Sequence, residues 1–340
     1  METVSEIVAP VGEPISQNHK TRDDKNLAES VDLALAGQIN PADTVVVSGF
    51  WRSGTTWLEE ALTKILDAKT VFEPFHFMVP AAKKIFKHAG VAKKSEPFRE
   101  LFIPYCGTAT LEMHSLLHQY YDHALRASLS GRAVRVLRKS AAESYRTRVL
   151  VKFTRGQFSL HAAQSAFAMP LIHVFRDPRA VIASAKMTDW YWLFDHLRLS
   201  EQLLEPPDGR ADFFRRWADE IRTYDHDKIA RMAAYWAITE KFLLEAFANQ
   251  TRRAVFVSYE ELCRRPEILL HILVRQNVPI ATTENLPDVN GDSFSTSAQR
   301  RGVSVEERIS GWKKILSRAE IATIENVIRH FGLDGRLEKS

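Results

Sequence analysis

Thr44-Val45-Val46-Val47-Ser48-Gly49-Phe50-Trp51-Arg52-Ser53-Gly54-Thr55-Thr56 is the stretch on which the fold turns. Its β-branched start running into Gly49 predicts a short buried strand that ends in a turn. Directly beyond it, Leu58, Leu62, Ile65 and Leu66 recur at helical spacing. Strand, glycine-bearing loop and helix therefore follow one another, with Gly49 and Gly54 at the separation of a phosphate-binding loop. Backbone N–H groups of such a loop and the positive end of the helix dipole favour an anion. A nucleotide triphosphatase carries lysine directly after the second glycine, whereas Thr55 stands there and the cation is Arg52, two places before Gly54. That shift weakens a kinase or ATPase reading, because the lysine that reaches the β- and γ-phosphates is absent. An ordinary strand-to-helix turn has the same spacing, so the rest of the chain must decide.

Outward from this loop, Val149-Leu150-Val151-Lys152-Phe153, Leu171-Ile172-His173-Val174-Phe175 and Ala254-Val255-Phe256-Val257-Ser258 have the same buried-strand character. Helical patterns separate them, as parallel strands require. Residues 229–247 read as a helix whose apolar positions include Met232, Tyr235, Trp236, Ile238, Phe242 and Leu243. Ser317-Arg318-Ala319-Glu320 has capping-box form and opens a helix carrying Ile321, Ile324, Val327, Ile328 and Phe331. The expected architecture is α/β: a three-layer domain with a central parallel sheet and a P-loop-like phosphate-binding loop. Residues 1–40 read as an N-terminal arm with a short helix at about 25–36 closed by Gly37, and residues 41–335 as a single domain.

Composition narrows the function. The 340 residues, 45% hydrophobic and 26% charged, are enough to bury a substantial core. A balance of 46 basic against 42 acidic residues gives +4 at pH 7, with a sequence pI of about 9.0. This small excess suits an anionic small ligand at a local site and speaks against nucleic acid as a partner. Cys106 and Cys263 are the two cysteines, too few for a disulfide framework or a multi-cysteine zinc site, and they suit a cytoplasmic location. No apolar run is long enough to span a bilayer, and the N-terminus lacks the basic start and hydrophobic run of a signal peptide.

A second anion segment follows the strand that ends at Phe175: Arg176-Asp177-Pro178-Arg179-Ala180-Val181-Ile182-Ala183-Ser184. Pro178 suits the first position of a helix, so Arg176 stands at a strand's carboxyl end beside a helix N-terminus. Ser184 is placed to face the same side. The bland alternative is an Arg176–Asp177 surface pair with Ser184 facing solvent.

Together the two segments resemble the sulfotransferase family, whose 5′-phosphosulfate loop is similar to Arg52-Ser53-Gly54-Thr55-Thr56 and whose 3′-phosphate motif is an arginine followed eight places later by serine, here Arg176 and Ser184. The resemblance runs from about Thr44 to Leu333. Val257-Ser258-Tyr259-Glu260-Glu261-Leu262 looks like the segment that borders the adenine, and Trp57 holds the position of an adenine-stacking indole. Arg300-Arg301-Gly302, then Gly311-Trp312-Lys313, look like the loop that closes over the 3′-phosphate. The gap from Gly302 to Trp312 is longer than in cytosolic members. The resemblance implies 3′-phosphoadenosine 5′-phosphosulfate (PAPS) as donor, the bisphosphate PAP as product, no metal, and a small-molecule, lipid or carbohydrate acceptor.

The catalytic base departs from the cytosolic small-molecule pattern, where a histidine lies about 22 residues before the 3′-phosphate arginine; counting back from Arg176 lands on Thr154. Other branches use a glutamate shortly after the first helix, and Val71-Phe72-Glu73-Pro74-Phe75-His76 lies at a similar spacing from Arg52. Glu73 is thus the expected base, in an apolar setting between Phe72 and Pro74, with His76 as the alternative. Arg52 and Lys152 would stabilise charge on the leaving phosphate oxygen.

Other signals are weaker. His114, His118 and His123 lack the further ligands of a zinc site. Trp190-Tyr191-Trp192-Leu193-Phe194 suits either an acceptor pocket or the core, and Glu205-Pro206-Pro207-Asp208-Gly209 reads as a turn and lid hinge. The rival readings are a nucleotide kinase with an altered loop, which requires magnesium and ATP, and a non-catalytic nucleotide-binding module.

Overall fold

A computed structural model describes residues 22–76, 79–88, 104–107, 115–129, 141–188, 195, 198–249, 253–283 and 302–337. The first elements are α1 (Arg22–Ala36), β1 (Val45–Gly49), α2 (Thr55–Leu66), β2 (Lys69–Phe72), α3 (Pro80–His88) and α4 (Ser115–Leu125). Next come β3 (Val149–Phe153), α5 (Gln157–Phe167), β4 (Leu171–Phe175), α6 (Pro178–Lys186), α7 (Leu199–Leu203), α8 (Arg210–Phe214) and α9 (Ala218–Tyr224). The last are α10 (Lys228–Ala246), β5 (Ala254–Ser258), α11 (Tyr259–Arg264), α12 (Ile268–Arg275), α13 (Val305–Ser310) and α14 (Arg318–His330).

Among the described residues, five strands form one parallel sheet in the order β2-β3-β1-β4-β5. Side chains alternate between the two faces, as the strand period demands. Val45, Val47, Leu150, Ile172 and Val174 pack with Leu58, Leu62 and Ile65 of α2 and with Leu269 and Leu273 of α12. Val46, Val151 and Leu171 face the larger core, with Phe158 of α5, Trp236 of α10 and Ile324 of α14. Both faces are covered, which explains the unbroken apolar strands. The fold is the expected three-layer α/β arrangement.

The predicted strands β3, β4 and β5 have the bounds read from the sequence, and the capping box of α14 is present, with Ser317 and Glu320 each accepting the other's backbone N–H. β2 has no clear strand signal because it is four residues long and opens with a lysine. Lys69 is nevertheless fully buried, since Asp32 of α1 pairs with it at 3.1 Å and the Ser144 carbonyl accepts from it at 3.2 Å. A partner from outside the strand makes this buried cation tolerable.

Candidate active site at the strand ends

Open α/β sheets bind ligands beyond the carboxyl ends of their strands. Each of the five strands supplies that edge here. The loop 50–54 follows β1, Glu73 follows β2, Lys152 is the penultimate residue of β3, Arg176 follows β4 and Tyr259 follows β5.

In the first loop, the Ser53 N–H bonds the Phe50 carbonyl at 3.1 Å, and Gly54 stands at the N-cap of α2 with φ +85°. No side chain caps this helix start, and the buried Ser53 hydroxyl has no hydrogen-bond partner. Orphaned donors at a helix N-terminus suit an anion. Gly54 is required twice over, because a Cβ there would lie 2.3 Å from the Tyr259 ring as well as in the left-handed region. Gly54→Ala is therefore expected to cost at least the ~1–2 kcal/mol of an L-residue in that conformation. Denaturant titration checks this, and unchanged stability would show that the loop and ring relax freely.

The two anion segments form one cluster. Arg52 Nε donates to Ser184 Oγ at 3.0 Å, and Arg176 donates to the Arg52 carbonyl at 3.0 Å. Arg176 also donates to the Arg308 carbonyl at 2.7 Å, lies 4.5 Å over the Tyr259 ring, and keeps a buried Nε with no partner. Asp177 does not pair with Arg176. It caps α6 through the Arg179 N–H at 2.8 Å and binds the Arg179 guanidinium at 2.6 Å, while Arg179 reaches Glu325 at 2.7 Å. Trp57 and Tyr259 are buried against each other edge to face, with centroids 5.9 Å apart. Burial pushes the Tyr259 phenol up to about 12. Arg300 and Arg301 lie outside the described residues; Gly302 is exposed at φ +71° ahead of α13.

Among the described residues, six non-glycine residues have positive φ. Asp67, Ala127, Ala168 and Asn277 close α2, α4, α5 and α12, where left-handed residues are common. Arg52 (φ 64°) and Glu73 (φ 48°) close no helix. Backbone strain away from helix ends gathers at functional sites.

The surroundings of Glu73 are not the apolar setting expected from Phe72 and Pro74. Its carboxylate is buried between two cations, Lys152 and Arg155, each 3.4 Å away. It also accepts from the Thr154 N–H at 3.3 Å and from the Thr154 hydroxyl. Lys152 donates to Thr56 Oγ1 at 2.9 Å and lies 3.6 Å over the Phe72 ring. One ammonium thus touches both the first loop and Glu73. Burial, helped by the Arg155 charge, lowers His76 to about 4, so its imidazole is neutral and weakly basic near pH 7.

Lys152 has a third neighbour, Glu59 of α2, at 3.5 Å. Glu59 is fully buried, neither carboxyl oxygen makes a hydrogen bond, and burial raises it from the usual 4.5 to about 8. Between those values the folded chain keeps a proton that the unfolded chain has lost, so this group makes stability fall as pH rises. Glu59→Gln, which cannot ionise, is expected to lose less stability than the wild type when denaturant titrations at about pH 5 and about pH 8 are compared. Equal losses would mean that Glu59 does not keep its proton in the folded chain.

Among the described residues, no group of three or more His, Cys, Asp or Glu side chains is placed to hold a metal ion, and no helix is long and apolar enough to cross a membrane. His118 packs on Phe167 and His123 bonds Ser128, while His114 and the segment 190–194 lie outside the described residues. In the proline-bearing turn, Asp208 is gripped by buried Arg210 at 2.7 Å.

Comparison with known proteins settles the family. The profile described as Sulfotransferase family matches residues 44–276, from the first residue before β1 to the end of α12. The chain belongs to the sulfotransferase family. Similar solved structures include the sulfotransferase domain from the curacin biosynthetic pathway, 17% identical, covering 87% of this chain and 98% of that one with a TM-score of 0.43. A sulfotransferase from Alicyclobacillus acidocaldarius is 13% identical, with 84% and 95% covered and a TM-score of 0.33. Retinol dehydratase in a complex with retinol and PAP is 12% identical, with 94% and 97% covered and a TM-score of 0.42. No curated protein matches the chain.

Four residues of this candidate site escape a reading by motif. Arg155 sits in Thr154-Arg155-Gly156, which looks like a plain turn, and Arg308 lies on a short helix. Thr154 draws notice only as the place where a histidine is missing. Glu59 had a signal, because it precedes Leu62 by three residues and Leu66 by seven and so shares their buried helix face.

Proposed function

We propose that the chain transfers a sulfuryl group from PAPS to a hydroxyl or amine of a small-molecule, lipid or carbohydrate acceptor, in line, with Glu73 as general base. The observation that carries this reading is the Lys152 ammonium, shared between Thr56, in the first turn of α2 beyond the phosphate loop, and the Glu73 carboxylate. It joins the place for a leaving phosphate to the place for a departing proton.

The residues present fit the donor. The uncapped start of α2, the orphaned Ser53 hydroxyl and the orphaned Arg176 Nε are the donors that a doubly phosphorylated nucleotide needs. Arg52, Ser53, Gly54, Thr55 and Thr56 would hold the 5′-phosphosulfate. Arg176 and Ser184, with Arg300, Arg301 and Gly302, would hold the 3′-phosphate, and Trp57 and Tyr259 would border the adenine. The donor supplies an activated sulfur whose leaving group is a phosphate. Glu73 accepts the acceptor's proton as the new bond to sulfur forms and the bond from sulfur to phosphate oxygen breaks. Arg52, Lys152 and the loop N–H groups offset the charge that grows on that oxygen. Thr154 and Arg155 fix the carboxylate, and His76 lies too low to compete as a base near pH 7. These roles need no metal ion.

The test is transfer of radiolabel from sulfur-labelled PAPS to a panel of alcohols, phenols, sugars, lipids and amines, with a chelator present. Label is expected on at least one acceptor class, independent of magnesium. ATP turnover that requires magnesium would favour the kinase, and nucleotide binding without transfer to any acceptor would favour the non-catalytic module.

A further inference from the structure

Glu59 combines three features that structure alone does not reward: complete burial, two carboxyl oxygens without hydrogen bonds, and a place 3.5 Å from the Lys152 ammonium. A buried polar group left in this state costs stability, which points to a role in the neighbouring chemistry. We propose that Glu59 is a positioning residue that acts through Lys152, backing its ammonium from the core side so that it stays committed to Thr56 and Glu73. This rests on the sulfuryl-transfer reading of the site.

The distances give the mechanism. The Lys152 ammonium lies 3.4 Å from Glu73 and 3.5 Å from Glu59, so one cation is shared by two carboxyls. Were both carboxyls ionised, the two would compete for the cation on equal terms. Burial keeps Glu59 protonated to about 8, so that at neutral pH the ammonium serves Glu73 and the loop. The charged groups that face Glu59 are Lys152 of β3, Glu73 after β2 and Glu60 on its own helix. Lys152 favours its ionised form, and both glutamates oppose it. As pH rises, Glu59 loses its proton and becomes an anion, draws Lys152 toward the core, and weakens both the stabilisation of the leaving phosphate and the hold on Glu73.

The experiment compares kcat against pH for the wild type and Glu59→Gln, with PAP affinity measured alongside. The wild-type kcat is expected to fall about tenfold between pH 7 and pH 9, as one group titrating near 8 dictates, and Glu59→Gln to lose that decline while binding PAP as before. An unchanged alkaline decline in Glu59→Gln, or PAP affinity lost in step with kcat, overturns the proposal. A second readout needs no turnover: infrared difference spectra of the ligand-free protein should show a protonated carboxyl at pH 7 that is absent from Glu59→Gln. In Lys152→Met, its midpoint should move to higher pH, because the cation that favours ionisation is gone. Absence of that band in the wild type, or an unmoved midpoint in Lys152→Met, also overturns it. If the wild type transfers label from PAPS to no acceptor, the sulfuryl-transfer reading fails, while the infrared arm still decides whether Glu59 and Lys152 are coupled.

Discussion

Glu73→Gln is expected to lower turnover by roughly 10² or more, the scale on which a general base contributes, while PAP affinity stays near that of the wild type. The substitution keeps the side chain's size and its contact with Thr154, and removes the group that can take a proton. Binding and chemistry separate because the proposed nucleotide contacts lie after β1, β4 and β5, whereas Glu73 lies after β2. His76→Ala is expected to have a much smaller effect, since burial holds that imidazole at about 4. Single-turnover kinetics with labelled PAPS, beside calorimetry with PAP, read the two quantities. Near-normal turnover in Glu73→Gln together with loss in His76→Ala would move the base to His76 and overturn the assignment to a glutamate branch. Activity in both variants would remove the general-base step altogether.

Arg176→Ala is expected to weaken PAP by ten- to a hundredfold, as loss of about 1.5–3 kcal/mol from hydrogen bonds to a charged group implies. The analogue without the 3′-phosphate should lose far less. The comparison is needed because Arg176 has a second occupation: its guanidinium ties the Arg52 carbonyl to the Arg308 carbonyl and covers the Tyr259 ring. Equal losses for both ligands in calorimetry would reduce Arg176 to a strut between the first loop and α13. Thermal unfolding without ligand then separates a damaged fold from a missing phosphate contact.

The sheet was legible where its strands are β-branched and buried on both faces, as in β1, β3, β4 and β5. β2 was not, because Lys69 belongs there only through Asp32, a partner 37 residues away that no local pattern announces. The phosphate side of the site was legible for a similar reason. Loop spacing, a proline at a helix start and an arginine at a strand end are local features, and the structure has Gly54 at the start of α2, Pro178 at the start of α6 and Arg176 after β4; their binding of phosphate is the proposal. On the proposed proton side, the sequence offered Glu73 by its spacing, with His76 as the alternative. What surrounds it, Thr154 and Arg155 just beyond β3 and Lys152 of β3 shared with Glu59 of α2, depends on register between strands distant in sequence. The Arg176–Arg308 contact spans 132 residues and is beyond any local motif.

The order β2-β3-β1-β4-β5 also bears on how the protein is made. A nascent chain that has emerged only as far as α6 carries both anion segments, yet it lacks Tyr259, against which Gly54 packs, and the Arg308 carbonyl that anchors Arg176. Parallel strands joined by long crossovers also pair slowly. The packing that holds Gly54 and Arg176 is therefore complete only once the segment 302–310 has docked. Until β5 is made, its neighbour in the sheet, β4, is an open edge, and the period between the synthesis of the two is when the chain is most exposed to chaperones and to aggregation.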